Sequence, residues 1–384
     1  MNMKQKGEKS NPVASFLWTD KKRRAKNFCF ILTVFVIFAA VAIGFVNSKL
    51  ELLTENDDDV TYQYNTEQEE ISQTTYEEED IIDMDSVDSA SSVNEYLYQW
   101  SNNNGELYRS DNVINVLLLG LDSADALEKG GRSDSMILVS LNKETQKINM
   151  ISFFRDSWTY MNIGGQDRYN KTNASYFYSG PSGLIDTIEK NYKIDIDYYV
   201  AVDFSSFVDI INALGGLTVE VQEYEANYIN RTTRYNIAHG PAVTLNGEEA
   251  LVFARIRKSD SDSDVSRTRR QRMVITSLIQ SAKGASLSQL NDAVDVLFTH
   301  VKTDLDKMQI VSYAAQALAN GWVNYEIIQH SFLSDSDVFM GGNINGSSVV
   351  FSDYPLAAQK VQLAVYGDTN IILEEDRVKI FSLV

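Results

Sequence analysis

Charged residues at the ends of apolar runs are the groups in this sequence with the clearest capacity for chemistry. Asp122 ends one apolar run, and Arg155 ends another. Arg132 and Asp134 stand directly before a third run. A charge at the end of a buried strand is costly unless it is paired or binds something. Arginine matches phosphate, and a pair of carboxylates suits Mg²⁺ or Mn²⁺ that also contacts substrate phosphates. We therefore expect an anion site with a metal at Asp122 and Asp134; a structural Asp–Arg network is the alternative.

More arginines follow in the second half of the chain. Arg255 and Arg257 come at the end of a run with helical spacing. If the chain is extended there, residues two apart lie on one face and both arginines point to the same anion. Arg269 and Arg272 are interpreted instead as surface residues that pair with the abundant carboxylates.

A predicted helix over about 265–283 carries polar groups at its start and apolar groups further on. Asp264, Arg267 and Gln271 share one helix face because they are spaced i, i+3 and i+7. Val274 and Leu278 continue the same stripe. Such a face suits an amphiphile with an anionic head and a hydrocarbon tail. The alternative is an ordinary amphipathic helix with a solvated first turn.

Lys171 stands just before another helical segment and either reaches a phosphate or is solvated. The glycines within 180–183 lack the Walker pattern, so this stretch is interpreted as a turn before a helix.

Composition excludes several other kinds of chemistry. The chain of 384 residues has only three histidines, which leaves few candidates for a Ser-His-Asp triad. It has one cysteine, so an internal disulfide is impossible. The formal net charge of −19 argues against nucleic acid, whose phosphates attract a basic face. Any catalysis must rest on carboxylates, arginines and a hard cation.

Strand and helix patterns alternate from about residue 112, which predicts an α/β fold: a sheet covered by helices on both faces. The predicted strands are 115–121, 136–141, 148–154, 198–203, 217–221, 325–332, 347–351 and a last one near the C-terminus. The predicted helices are 91–100, 182–192, 204–214, 246–253, 265–283, 287–301, 305–320 and 356–366.

The N-terminal part has a different composition. Residues 1–27 end in a basic cluster, and 28–46 are apolar and uncharged, as in a single membrane-spanning helix. A cleaved signal peptide is the rival interpretation, but no Ala-x-Ala site follows. The basic residues before this segment predict a cytoplasmic N-terminus and an extracellular domain. Residues 47–107 are acidic and are expected to form a disordered stalk, and 108–384 the catalytic domain, with a core at about 111–320 and an extension at 321–384.

Several short blocks occur in order between about residues 111 and 320. They are Asn115-Val116-Leu117-Leu118-Leu119-Gly120-Leu121-Asp122, Arg132-Ser133-Asp134-Ser135-Met136, Ser152-Phe153-Phe154-Arg155-Asp156, Lys171-Thr172-Asn173-Ala174, Asn246-Gly247-Glu248-Glu249-Ala250-Leu251, Arg255-x-Arg257 and Asp264-x-x-Arg267-x-x-Arg270-Gln271. Together these blocks resemble the LytR-CpsA-Psr family.

The resemblance implies an α-β-α sandwich whose apolar cavity holds a polyprenyl tail. It implies a phosphotransferase that moves a glycopolymer (teichoic acid, capsule or another secondary polysaccharide) from undecaprenyl pyrophosphate to peptidoglycan and forms a phosphodiester bond. The membrane anchor and outward topology agree with a Gram-positive-type envelope.

The same resemblance implies roles for individual residues. Asp122 and Asp134 correspond to the Mg²⁺ ligands, and Asp264 to a position that assists the metal or the acceptor. The pyrophosphate-binding set is Arg132, Arg155, Lys171, Arg255, Arg257, Arg267 and Gln271. Asp122, Asp134, Arg155, Arg257 and Asp264 would then be the catalytic residues, although the sequence does not select the general base among the aspartates.

Two other functions compete with this one. A polyprenyl-pyrophosphate phosphatase would use water at the same head-group site. A non-catalytic regulator or scaffold of the cell envelope would bind wall polymer only, without nucleic acid.

Overall fold

The computed structural model describes most of the chain from Ser91 onward. The described residues are 91–102, 106–122, 131–256, 263–284, 301–306, 309, 312–313, 316, 319–344 and 346–383. The predicted cytoplasmic tail, membrane-spanning helix and acidic segment up to residue 90 lie outside them. So do most of the helices predicted at 287–301 and 305–320. No helix in the described part is long and apolar enough to cross a membrane.

A six-stranded mixed sheet forms the centre of the domain. Its strands are β1 (Val113–Leu121), β2 (Ser133–Asn142), β3 (Lys147–Phe153), β6 (Tyr198–Val202), β9 (Val301–Thr303) and β10 (Glu326–His330). Their spatial order is β10-β3-β2-β1-β6-β9. β2 pairs antiparallel with β1 and β3, whereas β6 runs parallel to β1 and β10 parallel to β3.

Three two-stranded sheets surround the central one. They pair β4 (Trp158–Ile163) with β5 (Gln166–Lys171), β7 (Leu217–Val221) with β8 (Gly240–Leu245), and β11 (Phe339–Ile344) with β12 (Ser347–Ser352). The α-helices are α1 (Ser91–Asn102), α2 (Thr172–Tyr192), α3 (Phe204–Ala213), α4 (Glu223–Thr232), α5 (Gly247–Arg255), α6 (Ser263–Gly284) and α7 (Tyr354–Tyr366). Short 3₁₀ helices lie at Trp322–Asn324, Phe332–Ser334 and Ile380–Ser382.

Alternating residues of the central strands belong to two separate hydrophobic cores. Val116 packs in one core with Phe253 of α5 and Leu278 of α6. Its neighbour Leu117 packs in the other core with Ile188 of α2, together with residues of α1 and α7. Because successive strand residues point to opposite faces, helices cover both sides of the sheet. The predicted α/β sandwich is confirmed.

Two sequence predictions about the ends of the domain need correction. The predicted stalk extended to residue 107, but the helix predicted at 91–100 is present and packs on the core through Val93 and Leu97, which are 3% and 0% exposed. The folded part therefore includes residues from Ser91 onward. The last predicted strand is wrong: residues 367–379 form no strand and are followed by a 3₁₀ helix.

Candidate active site

The β1–β2 connection brings Asp122 and Arg132 together. The backbone N–H of Asp122 donates to the carbonyl of Arg132 at 3.1 Å, and the backbone N–H of Arg132 donates to Asp122 Oδ1 at 3.0 Å. This reciprocal pair of bonds fixes the Asp122 carboxylate at the end of β1. The carboxylate predicted to hold a metal is therefore anchored by the backbone and does not depend on a flexible side-chain partner.

A chain of ion pairs runs from the start of β2 to the end of β5. Arg155 Nη1 donates to Asp134 Oδ1, and Arg155 Nε donates to Asp156 Oδ2 at 3.2 Å. Asp156 Oδ1 in turn lies 3.5 Å from Lys171 Nζ. The β4–β5 hairpin closes this arrangement, because it starts after Asp156 and returns the chain to Lys171. Two cations and two carboxylates are thereby gathered at one end of the sheet.

Helix α6 forms the other side of the candidate site, opposite the strand ends. Ser135 Oγ donates to Gln271 Oε1 at 3.1 Å, so Gln271 lies beside the residue that follows Asp134. Arg267 is only 2% exposed, and both Arg267 and Gln271 line a cavity. The predicted i, i+4 relation of these two residues thus holds on a helix that faces the sheet.

Helix α5 positions Arg255. Its start is fixed by Asn246, whose side chain accepts from the backbone N–H of Glu249 at 3.0 Å. Gly247 lies so close to α3 that a Cβ there would come within 2.3 Å of the Val208 carbonyl oxygen. At the other end of α5, the Arg255 guanidinium stacks on the Phe204 ring, with its Cζ 4.2 Å from the ring centroid. The stack holds an exposed cation at the rim of the cavity.

The cavity itself is apolar inside and charged at its rim. Together with the solvent at its open mouth, it spans about 1180 Å³ between the sheet and helices α3, α5 and α6. Aliphatic and aromatic side chains form most of its wall, among them Leu118, Val200, Phe207, Ile210, Val274, Ile275 and Leu278. Asp134, Arg255, Arg267 and Gln271 also line it. A ligand that fits this space needs a hydrocarbon part inside and an anionic part at the rim.

Most of the predicted site residues meet in this region. Asp122, Arg132, Asp134, Arg155, Lys171, Arg255, Arg267 and Gln271 all lie at the strand ends or on the cavity. Arg257 lies outside the described residues, and so does the side chain of Asp264. Their predicted roles stay predictions.

The surface prediction for Arg272 is wrong, and no prediction was made for the buried Arg270. Arg272 was expected at the surface in an ion pair, but it is 5% exposed and donates to Ser152 Oγ at 2.7 Å. Arg270 is 0% exposed and pairs with Glu225 Oε1 at 3.1 Å. Spacing in the 267–272 segment could not separate these positions, because arginine occurs on several faces of the helix. Asp156, the partner of Lys171, was also missed as a site residue, although it directly follows Arg155.

The donors at Asp122 and Asp134 suit a hard divalent cation. Burial raises the pKa of Asp122, and the negative charge of Asp134 raises it further, while the backbone N–H of Arg132 lowers it. The negative charge of Asp134 therefore disfavours the ionised form of Asp122, and a cation bound between the two carboxylates would offset their repulsion.

Among the described residues no group of three or more His, Cys, Asp or Glu could hold a metal. Mg²⁺ commonly needs only one or two carboxylates, with water and substrate phosphates as the other ligands.

Comparison with known proteins gives the family. A profile of the LytR_cpsA_psr family matches residues 58–359. Over 237 residues the chain is 35% identical to the polyisoprenyl-teichoic acid–peptidoglycan teichoic acid transferase TagU of Bacillus licheniformis, an alignment that covers 61% of this chain and 71% of the relative.

Solved structures share the fold. The crystal structure of B. subtilis TagT matches with a TM-score of 0.51 and 25% identity, over 68% of this chain and 95% of that one. The LytR-CPS2A-psr family protein YwtF (TagT) with bound octaprenyl pyrophosphate lipid matches with a TM-score of 0.50 and 23% identity, over 68% and 94% of the two chains. With the profile match over most of the chain, these findings show that the protein belongs to the LytR-CpsA-Psr family.

Proposed function

We propose that this protein is a membrane-anchored phosphotransferase that moves a wall glycopolymer from undecaprenyl pyrophosphate to peptidoglycan. The observation that carries the proposal is an apolar cavity with cations at one end: the exposed Arg255 and the buried Arg267 line it, and Arg155 pairs with the cavity-lining Asp134. A polyprenyl pyrophosphate has the matching chemistry, with an apolar tail and two linked phosphates. The family member with bound octaprenyl pyrophosphate supports the same class of ligand.

The arginines would neutralise charge on the transferred phosphoryl group. Phosphoryl transfer needs alignment and charge stabilisation more than covalent help from the protein. Arg155 is held by two carboxylates, and Arg255 is held on an aromatic ring, so both cations are positioned before a ligand arrives. Arg132, Arg257, Lys171 and Gln271 complete the proposed pyrophosphate-binding set.

Asp122 and Asp134 would hold Mg²⁺ or Mn²⁺. When bound, the ion would screen the negative charge of the phosphates and so favour attack by a sugar hydroxyl on the phosphorus that carries the polymer; the P–O–P bond would break and undecaprenyl phosphate would leave. The proton of that hydroxyl needs an acceptor, and Asp122, Asp134 and Asp264 are the candidates.

The acceptor is proposed to be peptidoglycan and the cargo teichoic acid or another secondary polymer. Relatives that cover much of the domain are named teichoic acid transferases, which supports this choice. Residues 28–46 would anchor the protein with its catalytic domain outside the cell.

An acceptor-dependent assay tests the proposal. Full-length protein in detergent would be mixed with Mg²⁺, a lipid-linked glycopolymer and soluble peptidoglycan fragments. The expected product is polymer joined to peptidoglycan by a phosphodiester bond. Release of phosphate products alone, even with acceptor present, would favour a phosphatase and contradict the transferase. Binding without any turnover would favour a scaffold.

A further inference from the structure

Arg272 is a buried cation that the proposed mechanism does not use. It is 5% exposed, and Nη1 donates to Ser152 Oγ at 2.7 Å. Its Nε has no hydrogen-bond partner among the described residues. No carboxylate of the described residues forms an ion pair with it, whereas most buried charges in proteins are paired.

Arg270 on the same helix shows the contrast. It is 0% exposed, donates to Glu225 Oε1 at 3.1 Å and to the carbonyl of Ile256 at 2.7 Å, and so has both a counter-charge and a backbone acceptor. Two arginines of α6 are therefore equally buried but differ in whether the protein itself balances their charge.

The surroundings of Arg272 add positive charge. Burial and the nearby charge of Arg269 lower the pKa of Arg272 to about 10. The positive charge of Arg272 likewise lowers the pKa of His330, although burial is the larger cause there. Because no carboxylate of the described residues pairs with Arg272, the folded protein carries a buried cation at a cost to its own stability.

The position of Arg272 is close to the phosphate site. Ser152 lies on β3, three residues before Arg155 in the chain, and pairs in register with Ile137 of β2, which lines the cavity. On α6, the residue before Arg272 is Gln271, which accepts from Ser135 beside Asp134. Arg272, bound to Ser152, therefore lies next to the cavity-lining residue Ile137, on the same face of the sheet as the cavity.

We propose that Arg272 is an electrostatic positioning residue whose balancing negative charge is the diphosphate of the ligand. Arg272 does not contact the ligand. Its positive charge attracts the diphosphate across the protein interior, where charges are poorly screened. Its hydrogen bond to Ser152 also holds the end of β3 in place. The inference rests on the proposed function. It implies that the ligand-free protein is less stable than it could be, and that an anion at the site relieves this cost.

Three variants of the full-length protein separate this role from a structural one. Arg272→Met removes the charge and keeps the length of the side chain, Arg272→Lys keeps the charge, and Arg270→Met removes a paired charge on the same helix. For each, the melting temperature without ligand and the dissociation constant for inorganic pyrophosphate with Mg²⁺ are measured.

The expected change in melting temperature has opposite signs for R272M and R270M. R272M should raise the melting temperature of the ligand-free protein by roughly 2–4 °C and weaken pyrophosphate binding about tenfold. R272K should bind within about threefold of wild type, because it retains the charge. R270M should lower the melting temperature, because it leaves Glu225 buried and unpaired.

A lower melting temperature for R272M, or unchanged pyrophosphate binding, would overturn the proposal. If wild type binds pyrophosphate, R155A does not and R272M binds as wild type does, only the assignment of Arg272 fails. If wild type itself does not bind, the assignment of Arg272 and the proposed function both fail.

Discussion

Arg155 and Asp134 form an ion pair that joins the end of β3 to the start of β2. Both side chains are mostly buried, with 17% and 20% of their side-chain surface exposed. The pair therefore fixes the cation proposed to bind phosphate next to a predicted metal ligand before any ligand is present. A preorganised site of this kind needs little rearrangement on binding.

Removing Arg155 should affect turnover more than folding. Arg155→Ala is expected to reduce the rate of polymer transfer by about 10² to 10³, because one preorganised positive charge is lost where negative charge develops. Arg155→Lys should retain part of the activity, since it keeps the charge and loses the fork that contacts two carboxylates. Rates are measured with lipid-linked donor and peptidoglycan acceptor.

Arg109 provides a matched control for Arg155. It pairs with Asp195 at 3.4 Å at the opposite end of β1 and is 72% exposed. Arg109→Ala should leave the rate unchanged. Equal losses in the two alanine variants would contradict a special role for Arg155.

Asp122 should give the metal affinity a distinctive pH dependence. Burial and the charge of Asp134 raise its pKa above the ordinary value of 3.8. Protons compete with Mg²⁺, so affinity should be full above the raised pKa and should fall as the pH is lowered through it. Carboxyl NMR of the metal-free protein measures the titration.

Asp134→Asn tests the cause of that shift. It should lower the pKa of Asp122, because it removes a nearby negative charge. Asp195→Asn, at the other end of β1, should have no such effect. A pKa of Asp122 that does not move in D134N would show that the two carboxylates do not share a site.

Filling the cavity should separate binding of the tail from binding of the head group. Ile275 is half-buried and lines the cavity. Ile275→Trp should weaken binding of octaprenyl pyrophosphate by more than about tenfold, since less apolar surface can be buried. Binding of inorganic pyrophosphate should stay within about twofold, because the charged rim is intact.

Calorimetry with both ligands measures the difference. Leu363→Trp, at an exposed position of α7 on the other side of the sheet, serves as control. If I275W weakens both ligands equally, the cavity does not hold the tail.

Glu189 should make stability depend on pH away from the site. Burial raises its pKa to about 7 from 4.5. Between these values the folded protein binds more protons than the unfolded chain, so stability is lost as the pH rises through this window. Glu189→Gln avoids that loss and still accepts from the backbone N–H of Ile196, as Glu189 does at 2.8 Å.

Denaturant unfolding at pH 5 and pH 8 measures the effect. E189Q should match wild type near pH 5 and be more stable by on the order of 2 kcal/mol at pH 8. Glu326→Gln at an exposed strand position is the control. An equal difference between E189Q and wild type at both pH values would argue against the raised pKa.

The sequence predicted the α/β fold, and it predicted most of the residues that the structure brings together in the candidate site, because the relevant signals are local. Apolar runs such as 136–141 identify buried strands, and Asn246 with Glu249 identifies the start of α5 through a capping box. Charges directly at strand ends, such as Asp122 and Arg155, are also a local signal, and they predicted where the candidate site lies.

Tertiary relationships were harder to predict. The stack of Arg255 on Phe204 joins residues about fifty positions apart, and no spacing rule connects them. The burial of Arg272 depends on how α6 packs across β3, which helical periodicity leaves open among neighbouring arginines. The β4–β5 hairpin was also missed, because its second strand is rich in polar residues.

The central claim is that a lipid pyrophosphate binds with its head at the charged rim and its tail in the cavity. A crystal structure of the protein with a polyprenyl pyrophosphate tests this most directly. The predicted result is head-group density beside Arg155, Arg255 and Arg267, with the hydrocarbon chain between the sheet and helices α3, α5 and α6. Density for the lipid elsewhere, with the cavity free of the tail, would contradict the account.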